Sequence, residues 1–168
     1  MALPTQIDPR KLALQNTHLE GVINASELSR FTSAVLDIYS PISASIVFEL
    51  DESRQPIVKG SVEVSVKVTC QRCLDPMPLD LMAQFALQVI WTEDQLANVA
   101  PSYEPWVVVD KIADLIPVVE DELLLALPIV NYHDTGSCTG DALHQNVAEK
   151  GEEVFTENPF SVLQQLKK

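Results

Sequence analysis

Two thiols separated by two residues, Cys70 and Cys73, close an alternating valine run, and the remaining cysteine, Cys138, stands five positions after His133. A Cys-x-x-Cys turn can hold a metal, exchange electrons, or simply pack. As a metal site it supplies half of the Cys/His set that structural zinc takes. His133 and Cys138 could supply the other half, with His144 as a spare, and the result would staple a hairpin turn to the segment after a long helix. A redox pair would want a thioredoxin-like βαβ setting, which the flanking strand patterns do not offer. As a packed thiol, Cys70 keeps phase with the valine face and would act as a small hydrophobe. Zinc and metal-free packing both stay open on sequence alone.

Other chemistry is thinly supplied. Glu120-Asp121-Glu122 is an acidic triplet, but three successive helical residues point in different directions. They would not converge on one metal and read instead as a solvated or partner-facing stripe. Three histidines and five glycines leave no Ser-His-Asp candidate, no Gly-x-Gly-x-x-Gly and no P-loop. No enzymatic activity and no small-molecule substrate are expected.

The elements that position these residues follow from periodicity. Asp8 can cap a short helix with Pro9 at its first position, and His18 to Ile23 is extended. Asn24 opens a second helix with Glu27 as capping-box partner and Leu28, Phe31 and Val35 on its buried face. Ala44 to Leu50, Pro56 to Cys70 and Met82 to Trp91 are strands joined by short turns, an antiparallel meander. In the second of these Val62, Val64, Val66, Val68 and Cys70 alternate with polar residues, the period of a half-buried strand; in the third, Phe85, Leu87, Val89 and Trp91 share a face. Trp106 to Val109 reads as a further, fully buried strand. Asp114 caps a helix from Leu115 to about Ala126, with Ile116, Val119, Leu123 and Leu127 on one side, and Pro128 stops it. From Asn131 to Asn158 periodicity vanishes amid six acids and one lysine, Lys150, the composition of a flexible acidic segment. Asn158-Pro159 restarts a short amphipathic helix with Phe160, Leu163 and Leu166 on one face. Presented after a flexible linker, Phe160 and Leu163 could dock in a partner's groove or fold back on their own domain.

The chain has 168 residues, 46% of them hydrophobic, enough for one domain with an extra segment. No apolar run approaches the roughly 20 residues a bilayer needs, the N-terminus lacks a signal peptide's regions, and three cysteines do not make a disulfide framework. A cytoplasmic location without a membrane partner is expected. The net charge of −13 is unevenly spread. Residues 1–72 hold eight acids and seven bases, whereas residues 73–168 hold sixteen acids and four bases. Nucleic-acid binders present basic faces, so tight RNA binding by the second half is disfavoured. A basic protein is the natural complement of that half.

Together these pieces resemble the YceD family, the large ribosomal RNA subunit accumulation proteins of bacteria and plastids. The resemblance rests on Cys-Gln-Arg-Cys (70–73) after an alternating valine strand, Val-Glu-Asp-Glu-Leu-Leu-Leu-Ala-Leu-Pro at 119–128, and Asn-Pro-Phe-Ser-Val-Leu-Gln-Gln-Leu-Lys at 158–167. The opening from Leu3 to Pro9 and Ser102-Tyr103-Glu104-Pro105 fit as well. It implies a role in accumulating the large subunit through its 23S rRNA, with no established enzymatic activity, and family genes commonly neighbour that of a small basic large-subunit protein. Some members complete a zinc site with a further late cysteine pair. Here Cys138 stands alone in that region, with His133 nearby.

The expected molecule is an α+β domain over residues 1–130, with an antiparallel, strongly twisted, barrel-like sheet, N-terminal helices and one long packed helix. An acidic segment (131–157) and a short helix (158–168) follow. The expected function is large-subunit biogenesis by holding or delivering a basic ribosomal protein through Glu120, Asp121, Glu122, Phe160 and Leu163. The alternative is direct binding of 23S rRNA by Arg10, Lys11, Arg54, Lys59, Lys67 and Arg72, with Lys67 and Arg72 beside the polar face of the valine strand.

Overall fold

A computed structural model describes residues 2–134 and 136–139. In order these form β1 (Gln6–Ile7), α1 (Pro9–Leu14), β2 (His18–Ile23), a 3-10 turn (Ala25–Glu27), α2 (Ser29–Ala34), β3 (Asp37–Ile38), β4 (Ile42–Leu50), β5 (Pro56–Thr69), β6 (Pro76–Ile90), a second 3-10 turn (Glu93–Asn98), β7 (Glu104–Val107), β8 (Ala113–Asp114) and α3 (Ile116–Ala126). No helix among these residues is long and apolar enough to cross a membrane. Phe160, Leu163 and most of the acidic segment lie outside the described residues.

The sheet runs β2-β4-β5-β6-β7, with β3 beside β4 on the same edge of β5. All of these pairings are antiparallel except β6 with β7, which is parallel. The barrel expectation is corrected: β2 and β7 are opposite edges and do not meet. The reason lies in what covers the buried face, since α1 packs on β4 and β5 and α3 on β6. Helices there do the work that closure would otherwise do. Trp106 to Val109 is corrected as well. Its strand is a short edge containing Pro105, and Val109 is 82% exposed. Proline suits such an edge because no ladder donor is lost. Pro76 and Pro78 likewise extend β6 where only β5 flanks it.

The alternation of β5 holds from Val62 onward, whereas Pro56, Ile57 and Val58 at its start are all buried. Val62, Val64, Val66, Val68 and Cys70 are all buried, joined by Ile42, Ile46 and Phe48 of β4 and by Leu81, Ala83, Phe85 and Leu87 of β6. Gly60 is opposite Phe85, and a Cβ there would sit 2.3 Å from Phe85 Cζ, so the ring occupies the space a side chain would need. Helical residues close the core: Leu28 and Phe31 before and within α2, and Leu115, Val119 and Leu123 along α3. Asp8 caps α1 by accepting from Lys11 N at 3.0 Å. Asn24 and Glu27 form the expected capping box, but on the 3-10 turn, and the helix resumes only at Ser29.

Candidate metal centre

The site begins with the phase of β5, which delivers Cys70 to the buried face. The turn then closes tightly: Cys70 O accepts from Leu74 N and Cys70 N donates to Asp75 O, both at 2.9 Å. Leu74 has φ +65, the left-handed backbone such a turn requires and a non-glycine residue seldom adopts. This turn holds Cys73 beside Cys70. The chain leaving α3 then runs back over the same turn, where Gln71 N donates to Asn131 O at 2.8 Å and Gln71 Nε2 to Ile129 O at 3.2 Å. That path brings in His133 and, past a turn in which Ser137 N donates to Asp134 O, Cys138. Thr139 Oγ1 fastens the end by donating to Asp75 Oδ2 at 3.0 Å.

The donor atoms of Cys70, Cys73, His133 and Cys138 all lie within 4.8 Å of one another. Cys70 Sγ and Cys138 Sγ are 3.9 Å apart, and Cys73 Sγ is 3.3 Å from His133 Nδ1. All three cysteines are free thiols; Cys70 and Cys138 are buried and Cys73 half-buried. The set could hold a metal ion. Its electrostatics favour deprotonation at one thiol. Burial opposes ionisation of Cys70, but the N–H groups of Cys73, Arg72 and His133 and the Cys73 thiol bring it down to about 5. Burial pushes Cys73 up, helped by the neighbouring thiols of Cys70 and Cys138. His133 is raised, mainly by its bond with Cys70. Cys70 is thus the thiol readied as a ligand, and a bound cation would displace the protons that Cys73 and His133 hold.

Arg72, read from sequence as a surface cation, turns onto this cluster. Its Nε donates to Cys138 Sγ at 3.1 Å, its Nη2 donates to His133 O at 3.2 Å, and its guanidinium lies 5.6 Å from the Tyr132 ring centroid. Lys67 stays on the exposed face, 3.7 Å from Asp37 and 5.9 Å from the Tyr39 ring centroid.

The acidic triplet also divides. Glu120 is buried, where Oε1 accepts from the N–H of Arg30 at 2.7 Å and of Phe31 at 3.2 Å, and Oε2 accepts from Arg30 Nε at 2.8 Å. Burial disfavours its charge, yet the Phe31 N–H and then Arg30 hold its pKa below the ordinary carboxylate value. It ties α2 to α3 and does not face outward as a stripe residue would. Asp121 takes the other arm of Arg30 at 2.7 Å. Glu122 is half-buried, and its pKa is raised by burial, by Glu104 and by Asp121. Sequence reasoning missed the role of Arg30, whose partner lies 90 positions away with no local signal.

Comparison with known proteins adds the family. The family model described as large ribosomal RNA subunit accumulation protein YceD matches residues 58–167. The chain belongs to the YceD family. The matched span includes most of β5, β6, β7, α3 and all four residues of the cluster. The large ribosomal RNA subunit accumulation protein YceD of Haemophilus influenzae is 33% identical over 168 residues, covering 98% of this chain and 96% of that relative. No solved structure matches.

Proposed function

We propose that this YceD-family chain is a non-enzymatic factor of large-subunit biogenesis, acting in the cytoplasm. It supports 23S rRNA accumulation by holding a basic ribosomal protein on its acidic half. The observation that carries the reading is Glu122 beside Glu104 and Asp121, where burial and like charge push its pKa up. Arg30 neutralises Glu120 and Asp121 without reaching Glu122. A carboxylate group under such repulsion gains most from an incoming cation, and a lysine- or arginine-rich partner supplies several. Residues 73–168, with sixteen acids against four bases, extend the same complementarity. Phe160 and Leu163 are the apolar anchors that the sequence adds to it.

The cluster of Cys70, Cys73, His133 and Cys138 is read here as a structural zinc site. A tetrahedron with Zn–S near 2.3 Å and Zn–N near 2.05 Å has edges of about 3.8 Å between sulfurs and about 3.5 Å between sulfur and nitrogen. Two of the six separations, 3.9 and 3.3 Å, lie near those edges, and all six fall within 4.8 Å. Four protein ligands leave no open position for substrate, the mark of a structural rather than a catalytic ion. Zinc would cross-link the β5–β6 turn to the start of the acidic segment.

The test is equilibrium binding of purified basic large-subunit proteins across a salt series, for the wild type and a Glu104→Gln, Glu122→Gln variant. Affinity that falls with salt and drops in the variant supports the reading. Affinity indifferent to both would refute it.

A further inference from the structure

Lys111 is the only lysine or arginine between residues 73 and 139, and it lines the same groove as Arg10 and Lys11. These three cations rim a groove of about 520 Å³ whose apolar surface is Leu14, Trp91 and Val109, a size within the usual range of about 300–1,000 Å³ for ligand clefts. Three separate segments build it: α1, the residue just past β6, and the loop after β7. Each is anchored. Asp8 caps α1, Trp91 N donates to Gln95 Oε1 at 2.7 Å, and Val108 N donates to Ile90 O at 2.8 Å. Leu14 is 64% and Val109 82% exposed, so apolar surface faces solvent between positive charges.

Two carboxylates share the rim, Asp8 and Asp110. Asp8 is already engaged by the Lys11 N–H and stands 3.8 Å from Lys111 Nζ. Among the described residues Arg10 and Lys11 form no ion pair, whereas Arg30, Lys59, Lys67 and Lys111 each do. In a chain of net charge −13, three cations against two carboxylates around an aromatic ring, with Arg10 and Lys11 outside any ion pair, are a specific arrangement.

We propose that this groove binds single-stranded RNA, with a base against Trp91 and the flanking phosphates on Arg10, Lys11 and Lys111. A ring that stacks any base beside cations that track the backbone is the general means of sequence-tolerant single-strand binding. The site is separate from the acidic cluster that carries the proposed protein-holding role and does not depend on it. One chain could then hold a basic protein and touch the rRNA that receives it.

The chain has two tryptophans, so a Trp106→Phe variant leaves Trp91 as sole reporter. Titration with a ten-nucleotide single-stranded RNA should quench Trp91 emission at low salt. Anisotropy of the labelled oligonucleotide with the otherwise native chain gives the same affinity if that variant folds poorly. For single strands each lost phosphate contact lowers the slope of log affinity against log salt by about 0.7. Lys11→Ala with Lys111→Ala should therefore flatten it by about 1.4 while leaving Tm unchanged. The proposal is overturned if RNA does not bind, if the slope of the double variant equals that of the wild type, or if poly-glutamate binds the groove as tightly as RNA.

Discussion

Cys73 Sγ lies 3.3 Å from His133 Nδ1 across 60 positions of sequence. Hydrogen bonds hold part of this closeness between a turn and the segment after a helix: Gln71 N to Asn131 O, the Gln71 side-chain amide to Ile129 O, Arg72 to His133 O and Thr139 to Asp75.

Zinc is the expected remainder. Protein purified without added metal should contain one equivalent of zinc, Cys73→Ser should lose it, and chelation should lower Tm. Metal-free protein with the same Tm as the wild type would remove zinc from the account.

Glu120 is predicted to act as a structural ion and not as a binding residue. Glu120→Ala leaves two backbone N–H groups without their acceptor, at a cost of about 1–3 kcal/mol in denaturant unfolding. Its pH dependence has a definite sign. A carboxylate whose folded pKa lies below its ordinary 4.5 contributes stability that is complete above that pH and is lost as pH falls through the folded value. Glu120→Gln should therefore show a shallower acid decline than wild type below pH 4.5. Parallel profiles would contradict the burial-and-bond account.

Glu122 should behave in the opposite way. Burial, Glu104 and Asp121 raise its pKa, so its ionisation costs stability at neutral pH, and that cost is relieved as pH falls through the raised value. Glu122→Gln should raise Tm at pH 7, with the gain disappearing on acidification, while weakening the hold on a basic partner. A variant that is less stable at pH 7 would show that the like-charge repulsion is compensated.

Gly60→Ala should destabilise by about 1–3 kcal/mol through overpacking against the Phe85 ring. Adding Phe85→Leu should recover part of that loss in thermal unfolding. Additive losses in the double variant would mean that the ring is not what fills the space.

Much of this was legible in the residues because it is periodic or local. The alternation from Val62 to Cys70 placed one ligand on the buried face, and Asp8 with Pro9 announced α1. Open-sheet topology was not legible, because helices covering one face leave no mark on strand periodicity. The apolar run at Val107 to Val109 suggested burial, yet alternate residues of an edge face solvent. At the site, the ligand set could be assembled from residue types, but the turn of Arg72 onto Cys138 could not. Glu120 looked solvated for the same reason: its partner, Arg30, is remote in sequence. The Trp91 groove stayed hidden because three distant segments compose it.

The most direct test of the protein-holding role is a tagged pull-down from bacterial lysate, divided into nuclease-treated and untreated halves and read by mass spectrometry with RNA quantification. The account predicts a basic large-subunit protein that stays bound after nuclease and leaves as salt rises. Loss of all ribosomal material on nuclease treatment would contradict it and make RNA the primary ligand.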